Sequence, residues 1–370
     1  MIKKLYRKIF PKKFGDFWNT IKDNKNIDND LRLISESFIN SDSYKYVSNQ
    51  WHLYNILSYN SLVNSGLNNY GSEISTHYFT FKDYESDHLK NLFKDKESLL
   101  NNLDANIFKK HKNFNHKESI LYNSLCVLMY KNLKNTNYCK YLKFLKDETF
   151  LGYNDPYINI NDVKISSDKI NSLFDFEKIE SFYNFNENDR ILEIGSGSGR
   201  FSDCILSIKK NLNYTICEIP PSIYISYKRL KKSFPNKKIE ILIDCNSDEN
   251  IMEKIKKNNI SLIFPHQLNF IKEKFFNLTI AIDCLHEMDK KTLKRYFNNV
   301  NTISEKLYFS ILEKTKNWNS AGILKKTERL NFNKNDYPIP KSWNNVFKEY
   351  LKFPSNYIGV GYNIEDGLDN

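Results

Sequence analysis

The chain has 370 residues, 40 % of them apolar and 15 % aromatic, with a formal charge of +11. That apolar and aromatic content excludes a disordered chain, and the length allows one large domain or two modest ones around a sizeable core. The positive charge is spread through a sequence rich in Lys, Asn and Ile, so it reads as surface composition before it reads as a nucleic-acid footprint.

The first stretch, "MIKKLYRKIFPKKF", is the exception. It gathers Lys3, Lys4, Arg7, Lys8, Lys12 and Lys13 ahead of the first acid, Asp16, between Leu5, Tyr6, Ile9, Phe10 and Phe14. Such a segment can rest on an anionic membrane surface, or simply be a solvated terminus. It has no long apolar core with a small-residue cleavage site, and nothing later reaches the ~18 apolar residues of a membrane span. A cytoplasmic location is expected, with this segment as the one means of peripheral contact with the inner membrane face. The six cysteines are scattered without a CxxC pair, which favours buried free thiols.

Residues 1–145 read as a mainly helical N-terminal region, typified by "KESILYNSLCVLMYKNLKN". Residues 146–185 read as a connecting or lid segment. In it the turn-rich "DETFLGYNDPYININD" precedes a helix, "ISSDKINSLFDFEKIESFYNF", with Ser166 or Ser167 as cap. From 186 to 370 the pattern alternates. Strands are predicted at "RILEIG", "NYTICEI", "IEILID", "LTIAIDC" and "KLYFSIL". Between them lie the helical stretches "RFSDCILSIKK", "SIYISYKRLKKSF", "DENIMEKIKKN" and "KKTLKRYFNNV". Short apolar strands alternating with helices predict an α/β fold, a mostly parallel, Rossmann-like sheet covered on both faces. Ligands of such sheets sit beyond the carboxyl ends of the strands, and the chemistry-bearing residues should stand there.

The first predicted strand ends in "EIGSGSGR", three of the chain's eleven glycines. A dinucleotide fingerprint, G-x-G-x-x-G, would need glycine where Arg200 stands. Here the spacing is G-x-G-x-G, with Glu193 two residues ahead. A carboxylate at the mouth of the turn disfavours a pyrophosphate and favours a sulfonium or an amino group. Gly195, Gly197 and Gly199 allow close backbone approach, Ser196 lies between them, and the helix start at Arg200 can serve a carboxylate. Alone, the motif leaves a methyltransferase, a dinucleotide enzyme and a plain tight turn open. The second strand ends in Glu218, nineteen residues after Gly199, where an acid can accept from both ribose hydroxyls. Ile219 and Pro220 offer an apolar face for a base. The third strand ends in Asp244-Cys245, where the carboxylate could accept from the adenine amino group. Three acids after three successive strands point to S-adenosylmethionine.

The fourth strand runs into Asp283-Cys284-Leu285-His286-Glu287-Met288. Methyl transfer to a hydroxyl needs an in-line approach and a base, and histidine titrates in the right range. His286 is the expected base, Glu287 its orienting partner, and Asp283 a residue of both the cofactor and the catalytic set. Asp283, Glu287 and Asp289 are oxygen donors that could hold Mg²⁺, but turn acids at a helix start are the plainer reading, and no metal is expected. Candidate acceptor residues are Tyr153 and Asn154 in the lid, His266 in "FPHQL", and Tyr337 and Trp343 in "YPIPKSWNNV", aromatics beside polar amides that suit a sugar.

Taken together, "DETFLGYNDPY", "VKISSDKINS", "ILEIGSGSGRF", "EIPPSIYISYKRL", "IFPHQL", "IDCLHEM" and "YPIPKSW" resemble the bacterial sugar O-methyltransferases associated with surface-polysaccharide synthesis. The resemblance covers roughly residues 145–365. It implies the seven-stranded class I methyltransferase sheet, cofactor contacts at Gly195, Gly197, Glu218 and Asp244, and transfer to a hydroxyl of a nucleotide-activated sugar or a glycan in capsule or lipopolysaccharide synthesis. The competing expectations are a nucleic-acid methyltransferase, favoured only by the charge, and a cofactor-binding subunit that serves a partner enzyme.

Overall fold

The computed structural model describes residues 14–71, 106–111, 114–145, 156–245, 248–272, 274–313, 335–351 and 357–364. The basic segment before Phe14 and the Tyr153–Asn154 turn lie outside the described residues.

The N-terminal part is helical: α1 (Phe14–Ile21), α2 (Asn29–Asn40), α3 (Asn49–Ser65) and α4 (His116–Lys134). Side chains cap three of them: Asp28 for α2, Ser48 for α3, and Asn115 with Glu118 in a reciprocal capping box for α4. A short hairpin follows, β1 (Ile158–Ile160) and β2 (Val163–Ile165). Asn161 and Asp162 turn it with positive φ, the conformation a two-residue hairpin loop requires. Helix α5 (Ser167–Phe182) starts where Ser166 Oγ accepts from the Lys169 N–H at 3.1 Å.

The alternating region gives β3 (Arg190–Ile194), α6 (Arg200–Ile208), β4 (Asn213–Cys217), α7 (Ser222–Ser233), β5 (Ile239–Ile241), α8 (Asp248–Lys257) and β6 (Ile260–Ile263). It continues with β7 (Leu278–Ile282), α9 (Lys290–Ile303), β8 (Lys306–Leu312), β9 (Trp343–Tyr350) and β10 (Tyr357–Ile364). The sheet has eight strands in the order β5-β6-β4-β3-β7-β8-β10-β9. The first six are mutually parallel, while β10 runs antiparallel to both β8 and β9. The chain thus moves outward from β3 through β4, then returns to lay β7 on the other side of β3. That reversal opens a crevice beyond the carboxyl ends of β3 and β7.

Every residue of β6 and β7 is buried, as expected of strands covered on both faces. One face packs Phe176 and Ile179 of α5, Phe201 and Ile205 of α6, and Ile223 and Leu230 of α7. The same core takes in Phe17 and Trp18 of α1, Phe38 of α2 and Tyr59 of α3, so the N-terminal helices share the core of this face of the sheet. The other face packs Ile251 and Ile255 of α8, Leu293 and Phe297 of α9, and Trp343 and Tyr362. Each such side chain fully removed from water contributes roughly 1.5–3 kcal/mol. All six cysteines are free thiols, five buried and Cys139 half-buried. Among the described residues no helix is long and apolar enough to cross a membrane.

Two expectations about the sheet need correction. Among the described residues it has eight strands, not seven, and the stretch read as the third strand is the extra one. β5, Ile239–Ile241, pairs with β6 on one side, so it is an edge strand, and the chain turns away after the Leu242 N–H bonds the Leu262 carbonyl at 2.9 Å. The position next to β4 belongs to β6, "ISLI". Its four residues are too short a run to separate from the turn "FPHQL" that follows.

Candidate active site

The turn between β3 and α6 holds Gly195, Gly197 and Gly199 at φ of 73°, 58° and 75°, the left-handed region that a side chain resists. Two of them also lack room. A Cβ on Gly195 would lie 2.6 Å from Cys284 Cβ, and one on Gly199 would lie 3.3 Å from the Ser226 backbone. Gly197 differs, because nothing lies within 4 Å of where its Cβ would be. Ser196 Oγ pairs with Ser226 Oγ at 3.1 Å, and Ser226 Oγ donates to the Gly197 carbonyl at 2.9 Å. Arg229, ion-paired with Asp203, donates to Ser198 Oγ at 3.4 Å. The turn is therefore fixed from beneath by α7, and the space beside the Gly197 Cα is left open.

Glu218, at the tip of β4, closes on that open point. One carboxylate oxygen accepts from the Gly197 N–H at 2.7 Å and the other from the Ile219 N–H at 2.8 Å. Burial pushes its pKa up to about 7, against the pull of those two N–H groups. Ile219 beside it is half-buried. Glu193 takes a different position from the one expected at the mouth of the turn. It is 2 % exposed and accepts from Ser202 and, at 2.9 Å, from Tyr214. An apolar surrounding has turned this acid toward the hydroxyls under the turn, and burial raises its pKa.

Asp283, at φ 56°, ends β7. It accepts from Ser310 Oγ at 2.8 Å and faces Arg200 at 3.6 Å. Arg200 reaches it from the start of α6 and at the same time pairs with Asp175 of α5 at 3.0 Å and donates to Ser172 at 3.1 Å. Arg200 is thus engaged by two acids. Burial raises both of their pKa values, that of Asp175 to about 7, and Arg200 opposes the rise in each.

Three residues beyond Cys284, Glu287 completes the row. It is 7 % exposed, and burial raises its pKa with further upward pushes from Asp283 and Glu218. The Trp51 side chain, from α3, opposes that rise. Ser48 ties the two elements together, because it caps α3 at the Trp51 N–H and donates to the Glu287 carbonyl at 3.5 Å. Trp51 and Tyr54 form a tilted aromatic pair, their ring centroids 5.4 Å apart.

The remaining sequence-predicted residues are placed elsewhere. His286 is 1 % exposed and meets Tyr357 edge-on at 5.6 Å, and burial lowers its pKa to about 3. The turn Leu285–Glu287 points its middle side chain toward β10, so the expected catalytic histidine is a core residue and does not pair with Glu287. His266 is pinned to the N-terminal region: its Nδ1 and its backbone N–H both meet Ser43 Oγ, at 2.7 and 3.0 Å. Tyr337 and Trp343 lie in the core of the other sheet face, where Trp343 stacks on Phe297 and donates to Asn301 at 2.6 Å. Neither can present a face to a sugar. Asp244 is exposed in the turn after the edge strand β5, and Cys245 is buried. The residues that follow β6 next to β4 are Phe264, Pro265 and Gln267. Gln267 braces that turn by donating to the Leu242 and Cys245 carbonyls at 2.6 and 2.7 Å. Asp289 spends its carboxylate on the Thr292 N–H as the cap of α9. Among the described residues no three metal-ligating side chains converge.

Sequence reasoning missed Trp51, Tyr54, Asp175 and Ser43. Asp175 left a signal, a lone acid in the apolar run "SLFDF". The others sit in a helical region with no motif to mark them.

No protein-family model and no curated protein matches the chain. Solved structures do. Over 64 % of this chain and 61 % of its own length, the pyocyanin biosynthetic protein PhzM is similar at 11 % identity and TM-score 0.33. The chain thus spans about three fifths of PhzM. The glycopeptide N-methyltransferase MtfA complexed with sinefungin is similar at 10 % identity and TM-score 0.33, over 52 % of this chain and 86 % of MtfA. A mutant of MtNAS in complex with S-adenosylmethionine gives 12 % identity and TM-score 0.35, over 66 % and 78 %. At these scores the likenesses assign neither a reaction nor a substrate.

Proposed function

We propose that this protein is an S-adenosylmethionine-dependent methyltransferase that acts on a hydroxyl of a sugar. The observation that supports it most is the charge of the crevice. Glu218 stands at the end of β4, Asp283 and Glu287 follow β7 on the other side of β3, and Arg200 is engaged by Asp175 and Asp283. Such a row repels a pyrophosphate and suits a ligand whose sulfur and amino group are both positive. The residues present fit that ligand. The empty space beside the Gly197 Cα gives its amino-acid end a place to approach, Glu218 offers acceptors for ribose hydroxyls, and Ile219 with the Phe264–Gln267 turn offers an apolar seat for a base. Gly195, Ser196, Gly199 and Arg200 shape the turn, while Asp244 lies one strand too far out to contribute.

The cofactor supplies an electrophilic methyl group on a cationic sulfur. The chain must then position a nucleophile and take its proton. The acceptor side is walled by Trp51 and Tyr54 beside Glu287, where the C–H faces of a sugar can pack on rings while a hydroxyl finds a carboxylate. This pair takes the role that the sequence gave to Tyr337 and Trp343. The sequence resemblance to sugar O-methyltransferases supports the same substrate class.

Incubation with methyl-labelled S-adenosylmethionine and a panel of nucleotide-activated sugars tests the reading. The expected result is S-adenosylhomocysteine release with alkali-stable label on the sugar. Label on RNA or DNA instead, with none on the sugars, would overturn it.

A further inference from the structure

Arg200 is shared unequally between two acids. Its Nη1 donates to Asp175 Oδ2 at 3.0 Å and to Ser172 Oγ at 3.1 Å, while its Nη2 stands 3.6 Å from Asp283 Oδ2, beyond a hydrogen bond. The guanidinium is therefore drawn onto α5. Asp168, Ser172 and Asp175 fall on one face of that helix, and Asp168 adds its negative charge to the pull on the same arginine. Asp283 is held from the other side, where its Oδ1 accepts from Ser310 Oγ of β8 at 2.8 Å. The next residue, Cys284, donates to the Ile194 carbonyl at 3.2 Å and fills the space beside Gly195, so this strand end abuts the glycine turn. Exposure separates the two acids: the Asp175 side chain is 8 % exposed and that of Asp283 is 35 % exposed. The carboxylate open to the crevice is thus the one that Arg200 engages more weakly.

We propose that Asp175 is a positioning residue for the charge of the site: by keeping the Arg200 guanidinium on α5, it leaves the Asp283 carboxylate as counter-ion to the methyl donor's cation. The proposal rests on the methyltransferase reading above. Asp175 acts through Arg200 and Asp283, not by contact with a ligand. With Asp175, Arg200 and Asp283 all ionised, a surplus negative charge remains, and it lies at the exposed end, on Asp283. Without the Asp175 charge, Arg200 turns to Asp283 as its remaining ion-pair partner among the described residues, and the crevice loses that surplus. S-adenosylmethionine and S-adenosylhomocysteine share every group except the methyl on sulfur and the positive charge it brings. A counter-ion in the crevice therefore favours the donor over the product, and its loss is read in the ratio of the two affinities.

Titration calorimetry at about pH 8 and fixed low salt measures that ratio, above the value of about 7 to which burial lifts Asp175 against the pull of Arg200. A unit charge acting across ~10 Å at an effective dielectric of ~20 changes an affinity about 10-fold. Asp175→Asn, which keeps an oxygen for Arg200 Nη1, should lower the preference for S-adenosylmethionine over S-adenosylhomocysteine by about that factor. Asp283→Asn, which removes the counter-ion itself, should produce the same fall. Combining Asp175→Asn with Arg200→Met takes out both buried charges, which a fold tolerates better than the loss of one, and should return the preference to within about threefold of the parent. A purely structural role for Asp175 predicts instead that both ligands weaken alike and that the second substitution restores nothing. An unchanged preference in Asp175→Asn or Asp283→Asn would overturn the proposal. So would a double variant whose preference stays about 10-fold below the parent's, a result that decides even where the single variant does not fold. Absence of any S-adenosylmethionine binding by the parent is the distinct result that overturns the methyltransferase reading itself.

Discussion

Gly195 and Gly197 stand two residues apart in the same left-handed conformation, φ 73° and 58°, and differ in what a side chain would meet. At 195 a Cβ lies 2.6 Å from Cys284 Cβ and 2.8 Å from its sulfur, while at 197 nothing lies within 4 Å. Holding an alanine in this conformation costs ~1–2 kcal/mol. Forcing a methyl group into a filled site adds ~1–3 kcal/mol. Gly195→Ala should therefore lose roughly 2–5 kcal/mol of stability and Gly197→Ala only about 1–2. Ligand affinity should reverse the order of importance. The methyl group of Gly197→Ala occupies the open approach to the turn, so the folded variant should bind S-adenosylmethionine at least ~10-fold more weakly, about 1.4 kcal/mol. Urea unfolding reads the first quantity and titration calorimetry the second. Unaltered affinity in Gly197→Ala would refute the argument that the cofactor meets the backbone there.

Other outcomes follow from the same geometry. Burial lifts Glu218 from 4.5 to about 7, so between those values the folded chain holds a proton the unfolded chain has lost, and stability declines as pH rises through that window. Full ionisation of so shifted a group costs about 3 kcal/mol; urea midpoints of Glu218→Gln between pH 5 and 8 should decline less steeply than those of the parent, and a parallel decline contradicts the assignment. His286→Ala opens a core cavity and should lose about 2–4 kcal/mol of stability while turnover of the folded enzyme stays within about threefold. A 100-fold loss without loss of fold would restore His286 as the base. Ser43→Ala removes the hydroxyl that meets the His266 Nδ1 and N–H, and should cost ~1–3 kcal/mol and speed hydrogen exchange in α2 and α3 relative to the sheet. Uniform exchange would mean that the two regions open together.

The sheet was legible wherever an apolar strand was bounded by charged helices, as in "RILEIG" and "LTIAID". It was not legible where burial and sequence disagree. β9, "WNNVFKEY", is mostly exposed at the sheet edge, and "ISLI" is shorter than the turn that follows it. Spacing after β3 and β4 placed the glycine turn and Glu218 in one crevice, because a parallel strand fixes where its carboxyl end emerges. Side-chain direction was harder. Glu193 and His286 looked exposed by their motifs, yet one strand residue or one position in a tight turn decides which way a side chain points. Trp51 and Tyr54 lie more than 130 residues upstream of the turn they face, and only packing of α3 on the sheet brings them there.

The most direct test is titration of the purified chain with S-adenosylmethionine and, in parallel, with NAD(P)H. An acid-lined crevice predicts micromolar or tighter binding of the sulfonium ligand, strengthening from pH 6 to 8 as Glu218 ionises, and no heat from the dinucleotides. Tight uptake of NAD(P)H with no response to S-adenosylmethionine would contradict it.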